Sequence, residues 1–417
     1  MAGPQWLRDR RVAAAERFAA AALPSAEEEV WRYSRIADLD LTAWAPASGG
    51  PAPTAPAPTA PAVEDVGSGA AVTVTVLDGV ASISELPAEW VTKGVVVSTA
   101  SALPGISEAG LGVVAVDGPD VFATLNDAFA LDPIVISVPR GVRLDAPILV
   151  TNYLATAGTA VFPRLVVRMG EGAEATVVDH VSSGPGAVLS IPLTELEVAR
   201  GARLGYLHIQ ELGSAAWQIG SLVARVDQEA DLKAGLVGLG GEYARVRTDC
   251  TLAGRGSNGD LLAAYFGEGN QTLDFRTFQH HDAPDTTSNL LFKGAVGGHS
   301  RSVYTGLIRV DKEARGTNAF QTNRNVKLSD TAWAESVPNL EIETNDVHCS
   351  HASTIGPVDA EQRFYLESRG VAPKMADRLI VAGFFDEVVR ALPAAGAIPA
   401  VRARITAKLD RTAGDLR

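Results

Sequence analysis

The sequence predicts a mainly β protein, a parallel β-helix or solenoid with helices at both ends. Three observations carry this. Short β-rich runs such as Val72-Thr73-Val74-Thr75-Val76 and Leu165-Val166-Val167-Arg168 alternate with Gly, Asp or Asn turns from about residue 70 to 355. A weak repeat runs through the same region: an apolar residue, two others, Gly or Glu, then usually Ala. It reads Met169-Gly170-Glu171-Gly172-Ala173, Val198-Ala199-Arg200-Gly201-Ala202, Val226-Asp227-Gln228-Glu229-Ala230 and Val310-Asp311-Lys312-Glu313-Ala314. Its apolar positions lie about 28 residues apart, or three times that, and Val138-Pro139-Arg140-Gly141-Val142 shares the frame without the alanine. The composition agrees, with 40 Gly, 23 Pro and only 6% aromatic residues. One coil of such a fold cannot bury its own faces, so stacked coils share a core and small residues suit the crowded corners. A β-sandwich with turns at coincidental intervals is the alternative.

The elements follow in chain order. Residues 5–23 have helical spacing, closed by Pro24-Ser25, and Ser25 suits an N-cap for the acidic Glu27-Glu28-Glu29. The stretch Val30-Trp31-Arg32-Tyr33 then predicts a short helix that docks its two aromatics on the main body. Residues 1–45 thus form an N-terminal helical region, and the uncharged Pro/Ala/Thr-rich stretch 46–63 reads as an extended linker. The β-helix core spans 64–357. From 358 to 417 the chain returns to helix: Asp359 can cap 360–366, Gly370 suits a left-handed C-terminal position, and Pro373 suits a helix start. Leu379, Ile380, Phe384 and Val388 recur at helical spacing, as do Val401, Ile405 and Leu409. A solenoid needs its open ends covered, so this helical domain predicts either a cap or a docking surface for a partner.

Charge and cysteine content narrow the function. Thirty-six Lys and Arg against 49 Asp and Glu leave a net charge of −13, which argues against a non-specific nucleic-acid binder. Cys250 and Cys349 are the two cysteines, too few for a disulfide framework or a four-thiolate metal site. No apolar run approaches the ~20 residues that cross a bilayer. Glu16 and Arg17 interrupt the alanine-rich N-terminus, which reads as an amphipathic surface helix and not a signal peptide, and a cytoplasmic location is expected.

The densest polar cluster is His348-Cys349-Ser350-His351, preceded by Glu341, Glu343 and Asp346. In an extended strand His348 takes one face while Cys349 and His351 share the other, so a thiolate and an imidazole can offer two ligands to iron or zinc. They cannot complete a site alone, and a buried cysteine beside a solvent-facing histidine fits the same pattern. The second cluster, Arg276-Thr277-Phe278-Gln279-His280-His281-Asp282, places its adjacent histidines on opposite faces; a turn histidine paired with Asp282 is the simpler reading. There is no phosphate loop of the GxxxxGK[ST] type and no GxSxG, so neither ATP hydrolysis nor a serine nucleophile is expected of this chain.

Several long motifs carry a resemblance. Glu341-Ile342-Glu343, Asp346-Val347, Cys349-Ser350-His351-Ala352, Thr354-Ile355-Gly356, Phe364-Tyr365-Leu366 and Ser368-Arg369-Gly370 run in one stretch. Asp282-Ala283-Pro284-Asp285, Thr287-Ser288-Asn289, Phe292-Lys293-Gly294, Gln321-Thr322-Asn323-Arg324-Asn325 and Trp31-Arg32-Tyr33 belong with them. The chain resembles the SufB/SufD family of iron–sulfur cluster assembly proteins. That resemblance implies a right-handed parallel β-helix acting as a non-catalytic scaffold in a Suf complex. A SufB-like subunit would pair through the β-helix, and a SufC-like ATPase would dock on the C-terminal helices. SufB-type chains carry a cysteine in the segment that matches Leu328 to Pro338, where Ala332 stands here, and Cys349-Ser350-His351-Ala352 is similar to the SufD pattern. The resemblance therefore favours a SufD-like member, with His351 and, beside it, Cys349 as metal ligands of a transient iron–sulfur cluster shared with the partner subunit. The rivals are a SufB-like or homodimeric scaffold carrying its own cluster, and a carbohydrate-active β-helix enzyme.

Overall fold

The computed structural model describes residues 3–48, 66–116 and 118–412. Most of the linker expected over 46–63 lies outside the described residues. The fold is the expected parallel β-solenoid with helices at both ends. Two long sheets face each other, and each coil contributes one strand to either sheet. The apolar positions of the repeat lie in register in the first sheet, as Val138, Met169, Val198, Val226, Leu252, His281, Val310 and Ile342. Leu252 and His281 fill the two steps between Val226 and Val310. The threefold interval in the sequence is thus three physical coils.

Each coil turns one corner through a residue with positive φ: Gly141, Gly172, Gly201, Glu229, Gly256, Asp285 and Gly316. Glycine takes this left-handed conformation without a Cβ clash, which explains its recurrence. The corner amides form a ladder of their own, from Gly141 N–H to Glu171 O at 2.8 Å through to Gly316 N–H to Asp346 O at 2.7 Å. Between the sheets, alternate residues such as Val72, Val74, Val177, Leu204, Leu232, Leu261 and Phe292 form the inner core.

Helices cover the outer faces of both sheets. On the first, α1 (Gln5–Ala20) packs with α2 (Val121–Phe129). Arg10 pairs with Asp127 at 2.7 Å, and the buried Arg11 donates to the Ala130 carbonyl at 2.8 Å. On the second, α4 (Pro373–Ala391) and α5 (Ile398–Arg411) bury Val381, Phe385, Val388, Val401 and Ile405 against Leu207, Ile209, Val237, Leu262 and Phe266. α3 (Ala360–Ser368) starts at Asp359, whose carboxylate accepts from the Glu361 and Gln362 amides, both at 2.9 Å. The C-terminal helices thus lie on a broad face of the solenoid and do not cap it. The first coil is closed instead by antiparallel strands, Val80–Ile83 on Val72–Leu77 and Val96–Thr99 on Ile134–Val138.

The Ser25 expectation is met locally: its hydroxyl accepts from the Glu27 amide at 3.3 Å, and its own amide donates to Glu28 at 2.9 Å. The turn leads into the short helix, which is a single 3-10 segment, Glu29–Trp31. Of the two aromatics Trp31 is buried and Tyr33 is exposed.

Candidate functional site

The last two strands, Trp333–Ile342 and Val347–Pro357, are sheet edges paired on one side only, by Arg301–Val310 and Thr317–Lys327. Such edges present free backbone donors and acceptors that another strand can use. Apolar side chains are also uncovered here: Ile342 and Ile355 are each 40% exposed. Cys349 and His351 both lie on the final strand, opposite Ala319 and Gln321 of the preceding coil. Cys349 is half-buried against Ile308, Val310, Ala314 and Ala319, whereas His348 and His351 are exposed. Burial pushes the Cys349 thiol up from its ordinary range, while a backbone hydrogen bond from Ala319 pulls it partly back. As a ligand it would therefore have to lose its proton to solvent as the metal binds. Among the described residues no third His, Cys, Asp or Glu stands close enough to share an ion with this pair.

The remaining sequence candidates resolve differently. Cys250 is enclosed in the inner core, and burial pushes its thiol to about 12, so it packs as a small hydrophobe. Ala332 is buried immediately ahead of the first edge strand. Of the adjacent histidines, His281 points inward, its Nδ1 2.7 Å from Thr286 Oγ1 and its Nε2 2.9 Å from Ser288 Oγ. His280 points outward, with Nε2 3.0 Å from Asp282 Oδ1 and 3.1 Å from Asp311 Oδ1.

Two features near the edge were not identified from sequence. The first is a buried charge cluster beneath the N-terminal segment. Asp274 accepts from Arg276 Nε at 2.6 Å, Arg245 Nη1 at 3.2 Å and the Tyr243 hydroxyl at 3.0 Å, all fully buried. The excess positive charge is met by backbone: Arg245 donates to Val30 O at 3.1 Å and Arg276 to Arg32 O at 2.6 Å. Arg245 also lies 3.9 Å from the centre of the Trp31 ring. This clamp leads the chain to Tyr33, whose ring is 6.0 Å from that of Trp333 on the edge strand. The second feature is Lys293, which rises from the outer face of the second sheet to donate to Phe384 O of α4 at 2.9 Å and to pair with Glu387.

The C-terminal helices carry a separate surface. An open groove of about 770 Å³ is lined by Val358, Tyr365, Leu366, Leu379, Ile380 and Phe384. Beside it Phe364 is 73% and Tyr365 59% exposed, on a helix that buries no residue of its own. Such a contiguous apolar surface is larger than scattered exposed side chains would give.

Fold and surfaces together define a parallel β-solenoid with an unpaired terminal coil and an apolar helical appendage. The chain matches the SufBD core domain of the SUF system for FeS cluster assembly over residues 152–384, and the SufBD protein N-terminal region over 3–150. A SufBD-family iron–sulfur cluster assembly protein of Mycobacterium tuberculosis is 36% identical over 298 residues, 69% of this chain and 72% of that one. The iron–sulfur cluster assembly protein SufD of Escherichia coli is 31% identical over 295 residues, 70% of either chain. The chain belongs to the SufBD family of iron–sulfur cluster assembly proteins. Membership displaces the carbohydrate-active reading of the solenoid. No helix among the described residues is long and apolar enough to cross a membrane.

Proposed function

We propose that this chain is a SufD-like, non-catalytic scaffold subunit of a cytoplasmic Suf complex. Its terminal coil pairs with a SufB-like subunit, its C-terminal helices hold a SufC-like ATPase, and His351 faces the nascent cluster at the subunit interface. The observation that carries this reading is the uncovered pair of edge strands, Trp333–Ile342 and Val347–Pro357, with His351 exposed on the second. A partner strand or coil added there would satisfy the free backbone groups and cover Ile342 and Ile355.

In this role the cluster is cargo. His351 would supply a neutral imidazole nitrogen to iron, and most sulfur ligands would come from the partner, because Cys250 is sealed in the core and Cys349 is half-buried and held protonated. The cysteine content supports a shared site over a cluster held by this chain alone. The test is anaerobic reconstitution with iron and sulfide, followed by absorption spectroscopy, on the chain alone and with its SufB-like partner. A cluster that forms only in the complex, and is reduced by His351→Ala without loss of the complex, agrees with the proposal. A stable cluster on the isolated chain, or an unaffected His351→Ala complex, contradicts it.

A further inference from the structure

We propose that His280, Asp282 and Asp311 form a binding site for a divalent first-row transition cation on an outer corner of the solenoid, separate from His351 and Cys349. One potential ligand atom from each residue lies within 4.8 Å of the other two. The histidine is central: its Nε2 is 3.0 Å from Asp282 Oδ1 and 3.1 Å from Asp311 Oδ1. Bonds of about 2.1 Å to neighbouring corners of an octahedron put their ligand atoms about 3 Å apart, so both contacts already have the spacing such an ion requires. One imidazole with two carboxylates suits manganese, ferrous iron or zinc, and leaves the remaining positions to water.

The sequence frame holds these groups in place. Asp282 and Asp311 are equivalent residues of adjacent coils, each the first of its turn, and their amides bond to Leu252 O and His281 O, both at 3.1 Å. His280 sits on the parallel ladder between Thr251 and Arg309. Two carboxylates are therefore stacked one coil apart by the backbone, and their mutual repulsion calls for nearby positive charge, to which Arg225 and Arg309 both contribute at Asp282. His281, on the inner face, contributes nothing to the corner. The resident competitor is Arg309, whose Nε is 3.1 Å from Asp311 Oδ1 and whose Nη2 is 3.4 Å from Glu343 on the edge-coil side. Arg309 is well exposed and can turn away to solvent.

Arg309 supplies the discriminating test. If the cluster is only a set of ion pairs, removing Arg309 gains nothing for a metal. If Asp311 is a ligand, removing Arg309 frees it. Titration of the full chain with Mn²⁺, followed by the loss of the free-ion electron paramagnetic resonance signal, should show one equivalent bound. His280→Ala and Asp311→Asn should each weaken it roughly tenfold or more, and Arg309→Gln should tighten it severalfold. Unchanged melting temperatures of the three variants exclude loss of fold as the cause, and His280→Gln, which keeps a hydrogen-bonding group without the imidazole, provides a second check. Absence of one-equivalent binding up to about 1 mM Mn²⁺, or affinities in His280→Ala and Asp311→Asn within about twofold of the unmodified chain, overturns the proposal.

Discussion

Lys293 Nζ donates to the backbone carbonyl of Phe384 at 2.9 Å, across the seam between the solenoid and helix α4. The same ammonium lies 4.8 Å from the Phe384 ring, which lines the apolar groove, and it pairs with Glu387. A surface suited to a partner is thus tied to the sheet through one nearly buried cation. Lys293→Met keeps the stem's packing and removes both the bond to Phe384 O and the charge paired with Glu387. The expected cost is about 1–3 kcal/mol, seen as faster amide hydrogen exchange in α4 of the variant than in α4 of the unmodified chain. Equal protection of α4 in both proteins would contradict this role.

The N-terminal clamp makes a second prediction. Asp274 is the counter-charge for two fully buried guanidinium groups, Arg245 and Arg276. Asp274→Ala strands both, and should cost about 3–5 kcal/mol. Because these arginines hold the carbonyls of Val30 and Arg32, the variant should also be cut early by trypsin at Arg32 or Arg35. Proteolysis at the unmodified rate would show that the clamp does not anchor the segment.

Acid sensitivity follows from His281. Burial, followed by the neighbouring His280, pulls its pKa down to about 4 from 6.5. The unfolded chain therefore binds the proton at higher pH than the folded one. This stability is present above pH 6.5 and is lost as pH falls toward 4, by about 2 kcal/mol between pH 7 and 5. Denaturant titrations at the two pH values measure it. His281→Leu should reduce the difference by that amount, at the expense of the Thr286 and Ser288 bonds.

Thiol chemistry separates the two cysteines. In the folded chain a disulfide reagent should modify Cys349, slowly because its thiol is held protonated, and leave Cys250 untouched until denaturant is added. Modification of both at equal rates would contradict the burial of Cys250.

The solenoid was legible because corner residues and inward apolar positions recur once per coil. It faded between Val226 and Val310 for two physical reasons: Leu252 comes 26 residues after Val226 with its corner Gly256 one residue later than in the repeat, and His281 occupies a core position held by two hydroxyls, so an apolar search passes over it. Strand alternation was legible at His280 and His281, which do face opposite ways. The Arg245–Asp274–Arg276 cluster was not legible, because it depends on a carbonyl 215 residues distant in the chain. Nor was the placement of the C-terminal helices: spacing revealed their apolar stripes, but a stripe does not say whether it covers a face or an end.

In the proposed role one chain offers two independent docking surfaces, an open coil and a helical groove. This is tested most directly by co-expressing the chain with SufB-like and SufC-like proteins and identifying what co-purifies by mass spectrometry. The unmodified chain should retain both. Ile355→Asp on the final strand should lose the SufB-like subunit and keep the ATPase, and Leu379→Asp in the groove should do the reverse. Retention of both partners by both variants, or a chain that purifies alone, would contradict the account.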